Sequence, residues 1–179
     1  GLLAVAQQAE PLSQEILELP ERGRGRPRIA VARDRAFCFY YADSLRLLER
    51  LGAELCPFSP LADAALPPGC SGMLLGGGYP ELYAAELERN DSMRESVRAA
   101  VQDGMPCVAE CGGFLYLHRT LEDAQGISHQ MVGAIAADGK RTNRLQRFGY
   151  ATLTALRDNL LCKAGERIPT HEFHYWEST

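Results

Sequence analysis

The sequence lacks the features that would bring it to a membrane or to nucleic acid. Nineteen basic and 23 acidic side chains give a formal net charge of −4, so no large positive field attracts DNA, RNA or an anionic bilayer. No apolar run approaches the roughly 18 residues that a membrane span requires. At 179 residues, the chain is long enough to bury a core as about one domain. We therefore expect a soluble, cytoplasmic globular domain with no membrane and no nucleic-acid partner.

The usual signatures of metal and nucleotide sites are also missing. None of the six cysteines forms a Cys-x-x-Cys pair, and no Cys/His cluster has zinc-site spacing, so we predict no metal site. No Gly-Lys-Ser/Thr follows the glycine run at 76–78, which excludes a Walker phosphate loop. Three cysteines lie in or beside apolar stretches and are predicted to be buried, reduced thiols: Cys56, Cys70 and Cys107.

The first 27 residues are predicted to lie outside the main fold. Residues 21–27 read Glu-Arg-Gly-Arg-Gly-Arg-Pro, which has no packing face and is typical of a solvated linker; residues 11–19 suit a short helix. The chain begins without Met and carries this linker before its first strand. We expect residues 1–27 to be the end of a preceding domain plus a linker. Residues 28–179 are expected to form the functional domain, whose early stop leaves a C-terminal truncation open.

Apolar strands and helical patterns alternate from residue 28 to residue 119. This alternation predicts an α/β fold with a mostly parallel central sheet and helices on both faces. Beyond residue 126 the sequence pattern changes. The apolar segments there are typical of extended chain, and they predict an antiparallel addition at one side of the sheet. The predicted strands are 28–32, 53–58, 73–75, 105–110, 131–136 and 148–156, and the predicted helices are 44–52, 80–89, 92–103 and 112–119.

One cysteine stands where the fourth predicted strand meets a helix. Cys111 is followed by Gly112 and Gly113, and a nucleophile on such a sharp turn requires small neighbours. The N–H groups at the start of the following helix are expected to favour thiolate and to lower the pKa of the thiol. We therefore predict Cys111 as a nucleophile. The alternative is a buried cysteine before a glycine turn.

A second segment, Gly76 to Gly78, also lies at a predicted strand end. Consecutive glycines leave backbone N–H groups uncovered, and these can face a developing oxyanion. We predict Gly77, Gly78 and Gly112 as the donors, because the carboxyl ends of parallel strands meet at one edge of the sheet. Without the cysteine, three glycines would indicate only a turn.

Residues 170–176 carry two of the four histidines. A cysteine nucleophile needs an imidazole as its base. In an extended segment, Glu172, His174 and Trp176 share one face and His171 lies on the other, so only one imidazole faces the cysteine. This argument leaves the choice between His171 and His174 open. The other two, His118 and His129, are predicted to be ordinary surface or helix-end histidines.

Together, three motifs resemble the glutaminase domain of the cobyric-acid-synthase type of glutamine amidotransferase. They are Ala-Glu-Cys-Gly-Gly at 109–113, Gly-Gly-Gly-Tyr-Pro-Glu at 76–81 and His-Glu-Phe-His-Tyr at 171–175, supported by Tyr-Tyr at 40–41 and Arg-Phe-Gly-Tyr at 147–150. The resemblance covers about residues 28–176. It implies a class I glutamine amidotransferase-like fold, attack of Cys111 on the side-chain amide of L-glutamine, and His174 as the active histidine.

The sequence departs from the related enzymes at two positions near this histidine. Ordinary class I enzymes carry a glutamate two residues after it, where this chain has Trp176, and Thr170 stands where the family usually has glycine. The resemblance therefore implies a Cys111–His174 dyad. Glu172 is the alternative orienting carboxylate.

The resemblance also implies a larger enzyme. In that enzyme an N-terminal ligase domain uses ATP and Mg²⁺ to activate the a and c carboxylates of cobyrinic or hydrogenobyrinic acid, and ammonia from glutamine then forms the amides. This domain would hold no cofactor and would meet the corrin precursor only through the ligase domain. Two alternatives stay open: a glutaminase with another acceptor, such as a cell-wall lipid precursor, and a non-catalytic redox module using Cys111.

Overall fold

The computed structural model describes residues 1–10, 23 and 25–179. The short helix suggested for residues 11–19 lies outside these residues, as do Glu21, Arg22 and Arg24 of the predicted linker. In chain order the elements are α1 (Leu2–Gln7), β1 (Arg28–Ala32), β2 (Phe37–Phe39), α2 (Ala42–Arg50), β3 (Glu54–Phe58), β4 (Gly72–Leu75), β5 (Gly77–Gly78), a 3-10 turn (Pro80–Leu82), α3 (Ala84–Arg89), α4 (Asp91–Gln102), β6 (Cys107–Ala109), α5 (Gly112–Tyr116), β7 (Thr120–Glu122), β8 (Ser128–Gln130), β9 (Asp138–Arg141), β10 (Arg147–Thr154), β11 (Arg167–His174) and β12 (Trp176–Ser178).

A four-stranded parallel sheet lies at the centre of the fold, in the order β3-β1-β4-β6. In the inner strand β1 the last three residues are buried, with Ala30 and Ala32 fully inaccessible, while Arg28 and Ile29 are half-buried. A strand covered on both faces carries apolar residues without alternation, which is why its boundaries match the predicted 28–32. Helix α2 packs on β3 and helix α5 on β4 and β6. The α/β prediction with a parallel sheet flanked by helices is confirmed.

Two helices begin or divide differently from the prediction. Tyr41 is the N-cap of α2, and no side chain caps this helix, so the helix begins two residues before the predicted start at residue 44. The predicted helix 80–89 is a 3-10 turn followed by α3. Proline at the first position of that turn has no N–H to leave unpaired, which suits a tight start directly after the glycine run.

The C-terminal third forms two further sheets. One is the four-stranded sheet β12-β9-β7-β8, and the other is the antiparallel pair β10-β11. Among the described residues neither joins the parallel sheet, so the predicted antiparallel addition to that sheet is wrong. Strand β12 follows β11 after a single residue but pairs with β9, so the chain changes sheets immediately after His174.

The strand predicted at 131–136 is also wrong, because polar contacts take its backbone groups. The N–H groups of Met131, Val132 and Gly133 donate to carbonyls of residues 116–119, at 2.7 to 3.1 Å. The Met131 carbonyl accepts from the guanidinium of Arg94 at 3.2 Å. Met131 and Val132 are nevertheless buried. Their apolar character reflects burial beneath the end of α5. Burial of this kind gives the same apolar pattern as a strand.

The N-terminal helix α1 contributes nothing to the core, because none of its residues is buried. Within the part of the chain that is described, no helix is both long and apolar enough to span a bilayer.

Candidate active site

Cys111 occupies a strained turn between β6 and α5. Its φ of +51° makes it the one non-glycine residue with positive φ among the described residues, a conformation that costs energy in an L-residue. It is also the N-cap of α5. The N–H of Glu110 donates to the Leu75 carbonyl at 2.9 Å, and that of Gly113 donates to the Gly76 carbonyl at 3.0 Å. The turn is therefore bonded on both sides of the cysteine to the end of β4.

The two glycines after the cysteine are required by close packing. A Cβ placed on Gly113 would lie 2.2 Å from the Leu75 carbonyl oxygen, and one placed on Gly112 would lie 2.7 Å from Cδ of Pro80. Both positions exclude any side chain, as the sequence motif predicts. The glycines allow the turn to sit directly against β4 and the glycine segment.

The pKa of the Cys111 thiol is raised, which corrects the expectation that the helix N-terminus would lower it. Desolvation by surrounding atoms is the largest cause, although the residue is exposed. The backbone N–H groups of Gly112 and Gly78 lower the pKa, while the carboxylates of Glu81 and Glu110 add to the rise. The predicted N–H effect is present, but desolvation and two negative charges outweigh it. The thiol therefore needs a base to lose its proton near neutral pH.

The glycine segment lies beside this sulfur. Strand β5 pairs with β2, where Gly78 faces Phe37 and Gly77 faces Phe39. The N–H groups of Gly78 and Gly112 both act on the sulfur. A Cβ on Gly77 would lie 3.6 Å from the Cβ of Cys111. The structure thus places the predicted glycines Gly77, Gly78 and Gly112 beside Cys111, and their roles as oxyanion donors stay a prediction.

His174 is the last residue of β11 and lies on its less exposed face. Its Nδ1 donates to the carbonyl of Trp176 at 2.9 Å. A carbonyl only accepts, so Nδ1 carries the proton and Nε2 holds the lone pair of the neutral ring. Among residues 25–179 no hydrogen bond joins His174 to the Cys111 thiol. Bonds between catalytic groups often tighten only when substrate binds.

His171 lies on the opposite, exposed face of β11. It packs edge-on against the rings of Phe148 and Tyr150, at centroid distances of 5.5 and 5.4 Å. The alternation predicted for this segment is therefore confirmed for residues 171–174, whereas Trp176 lies in β12 of another sheet.

Glu172 shares the face of His174 but is paired with a different group. Its carboxylate lies 3.6 Å from Nε of Arg147, and Arg147 is the residue opposite His174 in the β10–β11 pair. In this structure the imidazole of His174 is hydrogen-bonded to the Trp176 carbonyl and not to the carboxylate of Glu172.

Strand β12 connects the segment that contains His174 to helix α5, which begins at Cys111. The indole N–H of Trp176 donates to the Glu122 carbonyl at 2.7 Å. The hydroxyl of Ser178 lies 2.8 Å from Nε2 of His118, whose Nδ1 lies 2.8 Å from the Phe114 carbonyl within α5. These bonds anchor the residues just after His174 to α5 and to the strand that follows it.

The two remaining histidines are buried, so the surface position that the prediction offered is wrong for both. His118 does lie at a helix end, as the prediction allowed, because it follows the C-cap of α5. His118 is fully buried and His129 is 8% exposed. His129 is held between two carboxylates, Glu88 at 2.9 Å and Asp123 at 3.0 Å. Burial lowers its pKa, but hydrogen bonds to these carboxylates raise it more. Both histidines are structural.

Comparison with known proteins places this geometry in a family. Residues 28–179 match the model of the CobB/CobQ-like glutamine amidotransferase domain. The chain belongs to this family. It is 49% identical over 148 residues to cobyrinate a,c-diamide synthase of Caldanaerobacter subterraneus, covering 83% of this chain. It is 51% identical over 147 residues, 82% of the chain, to the synthase of that name from Salmonella typhimurium.

This amidotransferase domain is much shorter than its relatives. It spans 33% of the Caldanaerobacter protein and 32% of the Salmonella protein. A longer match, 41% identical, covers 97% of this chain but 38% of the cobyrinate a,c-diamide synthase of Dehalococcoides mccartyi. One solved structure, a peptidase E protein from Listeria monocytogenes EGD-e, aligns with a TM-score of 0.48 and 12% identity over 63% of this chain and 64% of that chain.

Two residues near the amidotransferase site were not assigned a role from sequence. Glu81 is half-buried, and its charge acts on the Cys111 thiol. Tyr40 bonds the glycine segment through its hydroxyl. Both belong to motifs that support the family resemblance: Glu81 ends Gly-Gly-Gly-Tyr-Pro-Glu, and Tyr40 opens Tyr-Tyr. Membership of these motifs was the one sequence signal for them. Their partners became visible only in three dimensions.

Proposed function

We propose that this domain hydrolyses L-glutamine through a Cys111 thioester and supplies the ammonia for a ligase reaction. The observation that carries the proposal is the position of Cys111 on a positive-φ turn at a strand end, with the N–H groups of Gly78 and Gly112 acting on its sulfur. Nothing in a structural cysteine requires that strain, whereas a nucleophile that must be exposed beside an oxyanion site does.

The first half-reaction makes the thioester. Nε2 of His174 takes the thiol proton, and the Cys111 sulfur attacks the side-chain carbonyl carbon of glutamine. The negative charge that forms on the carbonyl oxygen is stabilised by the N–H groups of Gly78 and Gly112. The imidazolium then gives its proton to the amide nitrogen, the carbon–nitrogen bond breaks, and ammonia leaves.

The second half-reaction releases glutamate. His174 removes a proton from water, which attacks the thioester carbon at the same oxyanion site. Collapse of this intermediate breaks the carbon–sulfur bond and returns the proton to the sulfur. The Trp176 carbonyl keeps Nδ1 protonated throughout, so Nε2 is the nitrogen that accepts the proton in both steps. We propose a Cys111–His174 dyad on this basis, because the carboxylate of Glu172, the alternative orienting group, is paired with Arg147.

We further propose that the acceptor is a corrin precursor. The relatives of this domain are cobyrinate a,c-diamide synthases about three times its length. We infer that residues 1–27 link it to an N-terminal ligase domain. That domain uses ATP and Mg²⁺ to activate the a and c carboxylates of cobyrinic or hydrogenobyrinic acid in cobalamin biosynthesis. A cytoplasmic location stays a prediction.

The test is labelling with 6-diazo-5-oxo-norleucine, a glutamine analogue, followed by peptide mass spectrometry. We expect modification at Cys111 only, and its loss in Cys111→Ala. In His174→Ala the labelling rate should fall by about 10²- to 10⁴-fold. The matched controls are Cys38→Ala, which removes another exposed thiol, and His171→Ala on the other face of the strand; both should label like the wild type.

Further arms separate the alternatives. Glutamate release from glutamine should not depend on ATP, Mg²⁺ or cobyrinic acid, because the domain alone makes no amide. Oxidation of Cys111 by peroxide, with no labelling by the glutamine analogue, would instead indicate a redox module. Amidation of a lipid precursor, but not of cobyrinic acid, by the full-length protein would contradict the corrin acceptor.

A further inference from the structure

Tyr40 lies between the central strand and the glycine segment. Its hydroxyl donates to the carbonyl of Ala32 at the end of β1 and accepts the N–H of Gly76, at 2.8 Å. The phenol therefore uses one donor and one acceptor to join two strand ends. Burial raises the pKa of Tyr40 to about 12, so the hydroxyl keeps its proton across the working pH range.

The ring of Tyr40 packs directly on Gly76. A Cβ placed on Gly76 would lie 2.5 Å from Cε1 and Cζ of this ring, so only glycine allows the contact. Strand β2, which ends one residue before Tyr40, pairs with β5, the strand that contains Gly77 and Gly78. Tyr40 and β2 thus hold the glycine segment at both of its ends.

The same glycine is bonded to the nucleophile turn. The carbonyl of Gly76 accepts the N–H of Gly113, at 3.0 Å. The N–H of Gly76 is therefore bonded to Tyr40, and its carbonyl is bonded to the first turn of α5. Any shift of Gly76 would move the Gly78 N–H relative to the Cys111 sulfur, and oxyanion donors act only within a few tenths of an ångström of their best position.

We propose that Tyr40 is a positioning residue for the oxyanion site, which fixes the Gly78 N–H by holding Gly76; this rests on the glutaminase function proposed above. Removing its hydroxyl leaves the buried Gly76 N–H without a partner, so the glycine segment loosens. Attack on a carbonyl then becomes slower, because it needs the oxyanion donors. Alkylation of the thiol by iodoacetamide displaces iodide and forms no oxyanion. Its rate should therefore change far less, because the Gly78 N–H is the smallest of the effects on the thiol pKa.

The experiment compares Tyr40→Phe with Tyr41→Phe, since Tyr41 is 83% exposed. Thioester formation is measured by trapping with hydroxylamine, which gives γ-glutamyl hydroxamate and ammonia. In Tyr40→Phe we expect kcat to fall by about 10- to 100-fold and KM to change little. The rate of Cys111 alkylation by iodoacetamide should stay within about twofold. Tyr41→Phe should match the wild type in all three.

Amide hydrogen exchange adds a measurement that needs no activity. Exchange at residues 73–79 should accelerate in Tyr40→Phe and not in Tyr41→Phe. An unchanged kcat, or equal losses in hydroxamate formation and alkylation, would overturn the positioning role. If the wild type forms no hydroxamate although its Cys111 is alkylated, the proposed glutaminase function itself fails and this inference falls with it.

Discussion

At the scale of single residues, the chemistry of Cys111 is set by opposing effects on one sulfur. Desolvation and the charges of Glu81 and Glu110 raise its pKa, and the N–H groups of Gly112 and Gly78 lower it. A thiol held mostly protonated is a poor nucleophile until a base removes its proton. In the proposed mechanism the base is Nε2 of His174, since the Trp176 carbonyl holds the proton on Nδ1.

Neutralising Glu81 should make the thiol easier to ionise. The pKa of Cys111 is raised, so the rate of alkylation rises with pH as the thiolate forms, with a midpoint above that of an ordinary cysteine. In Glu81→Gln the midpoint should move to lower pH, and alkylation by iodoacetamide at pH 8 should accelerate by about two- to fivefold, a few tenths of a pKa unit. The measurement is the pH profile of Cys111 alkylation by mass spectrometry.

The matched control for this substitution is Glu95→Gln, on the exposed side of α4. Its alkylation profile should overlay that of the wild type. A midpoint that stays in place in Glu81→Gln would show that its charge does not reach the sulfur.

At the scale of elements, the site depends on how closely strands β2, β4 and β5 approach the start of helix α5. The turn at Cys111 sits against β4 because Gly113 has no side chain, and the glycine segment sits against β2 for the same reason. A Cβ on Gly78 would lie 2.0 Å from the carbonyl oxygen of Ala36. Main-chain atoms cannot move aside as a flexible side chain can. These glycines therefore determine the spacing of the elements.

Gly113→Ala should destabilise the fold and disable the site together. The added methyl would meet the Leu75 carbonyl, which also accepts the N–H of Glu110, so the turn must shift. We expect the free energy of unfolding to fall by about 2–3 kcal/mol and labelling by the glutamine analogue to be lost. Urea unfolding followed by circular dichroism gives the first quantity.

Gly72→Ala, in the same strand β4, is the matched control. A Cβ there meets only ordinary contacts, at 3.7 Å and beyond. Its free energy of unfolding should stay within about 1 kcal/mol of the wild type. Equal stability of the Gly113→Ala and Gly72→Ala proteins would contradict the close packing at the turn.

At the scale of the whole molecule, a buried histidine joins segments that are distant in sequence. His129 of β8 bonds Glu88 of α3 and Asp123, the residue after β7. A second carboxylate oxygen of Glu88 accepts the N–H of Gln130 at 2.8 Å. This cluster attaches the β12-β9-β7-β8 sheet to α3, next to the helices that cover the parallel sheet.

The cluster should make stability depend on pH in two directions. The pKa of His129 is raised, so its contribution is complete below about 6.5, the ordinary histidine value, and is lost as pH rises through the folded-state pKa. Hydrogen bonds to Gln130 and His129 lower the pKa of Glu88, and the bond to His129 lowers that of Asp123. Their contributions are present above about 4 and are lost as pH falls. The cluster is therefore strongest in mildly acidic solution.

Calorimetric Tm values from pH 3 to 9 test this. His129→Gln should lower Tm most at mildly acidic pH and flatten the profile there. His171→Gln, at an exposed position, should keep the wild-type profile. A Tm difference between His129→Gln and wild type that is constant with pH would contradict an ionised cluster.

Most of the elements that surround the site could be predicted from sequence. The run 28–32 is a strand whose apolar residues 30–32 are buried in the sheet, and Cys111-Gly112-Gly113 is a sharp turn because only small residues permit it. The segment 131–136 was predicted as a strand because burial and strand pairing produce the same apolar pattern. Only the positions of Arg94 and of the carbonyls beyond α5 distinguish the two.

The sequence by itself determined the fold class and the two faces of the strand that carries His171 and His174, and it predicted Cys111 as the nucleophile, because residue type and spacing control local geometry. Tertiary structure decided which nitrogen of His174 is free, that His129 is buried between carboxylates, that Tyr40 holds Gly76, and that the thiol pKa rises. Each of these depends on desolvation or on bonds between segments far apart in the chain. Composition can exclude a membrane span or a zinc site, but the balance of forces at one sulfur atom follows only from which atoms surround it.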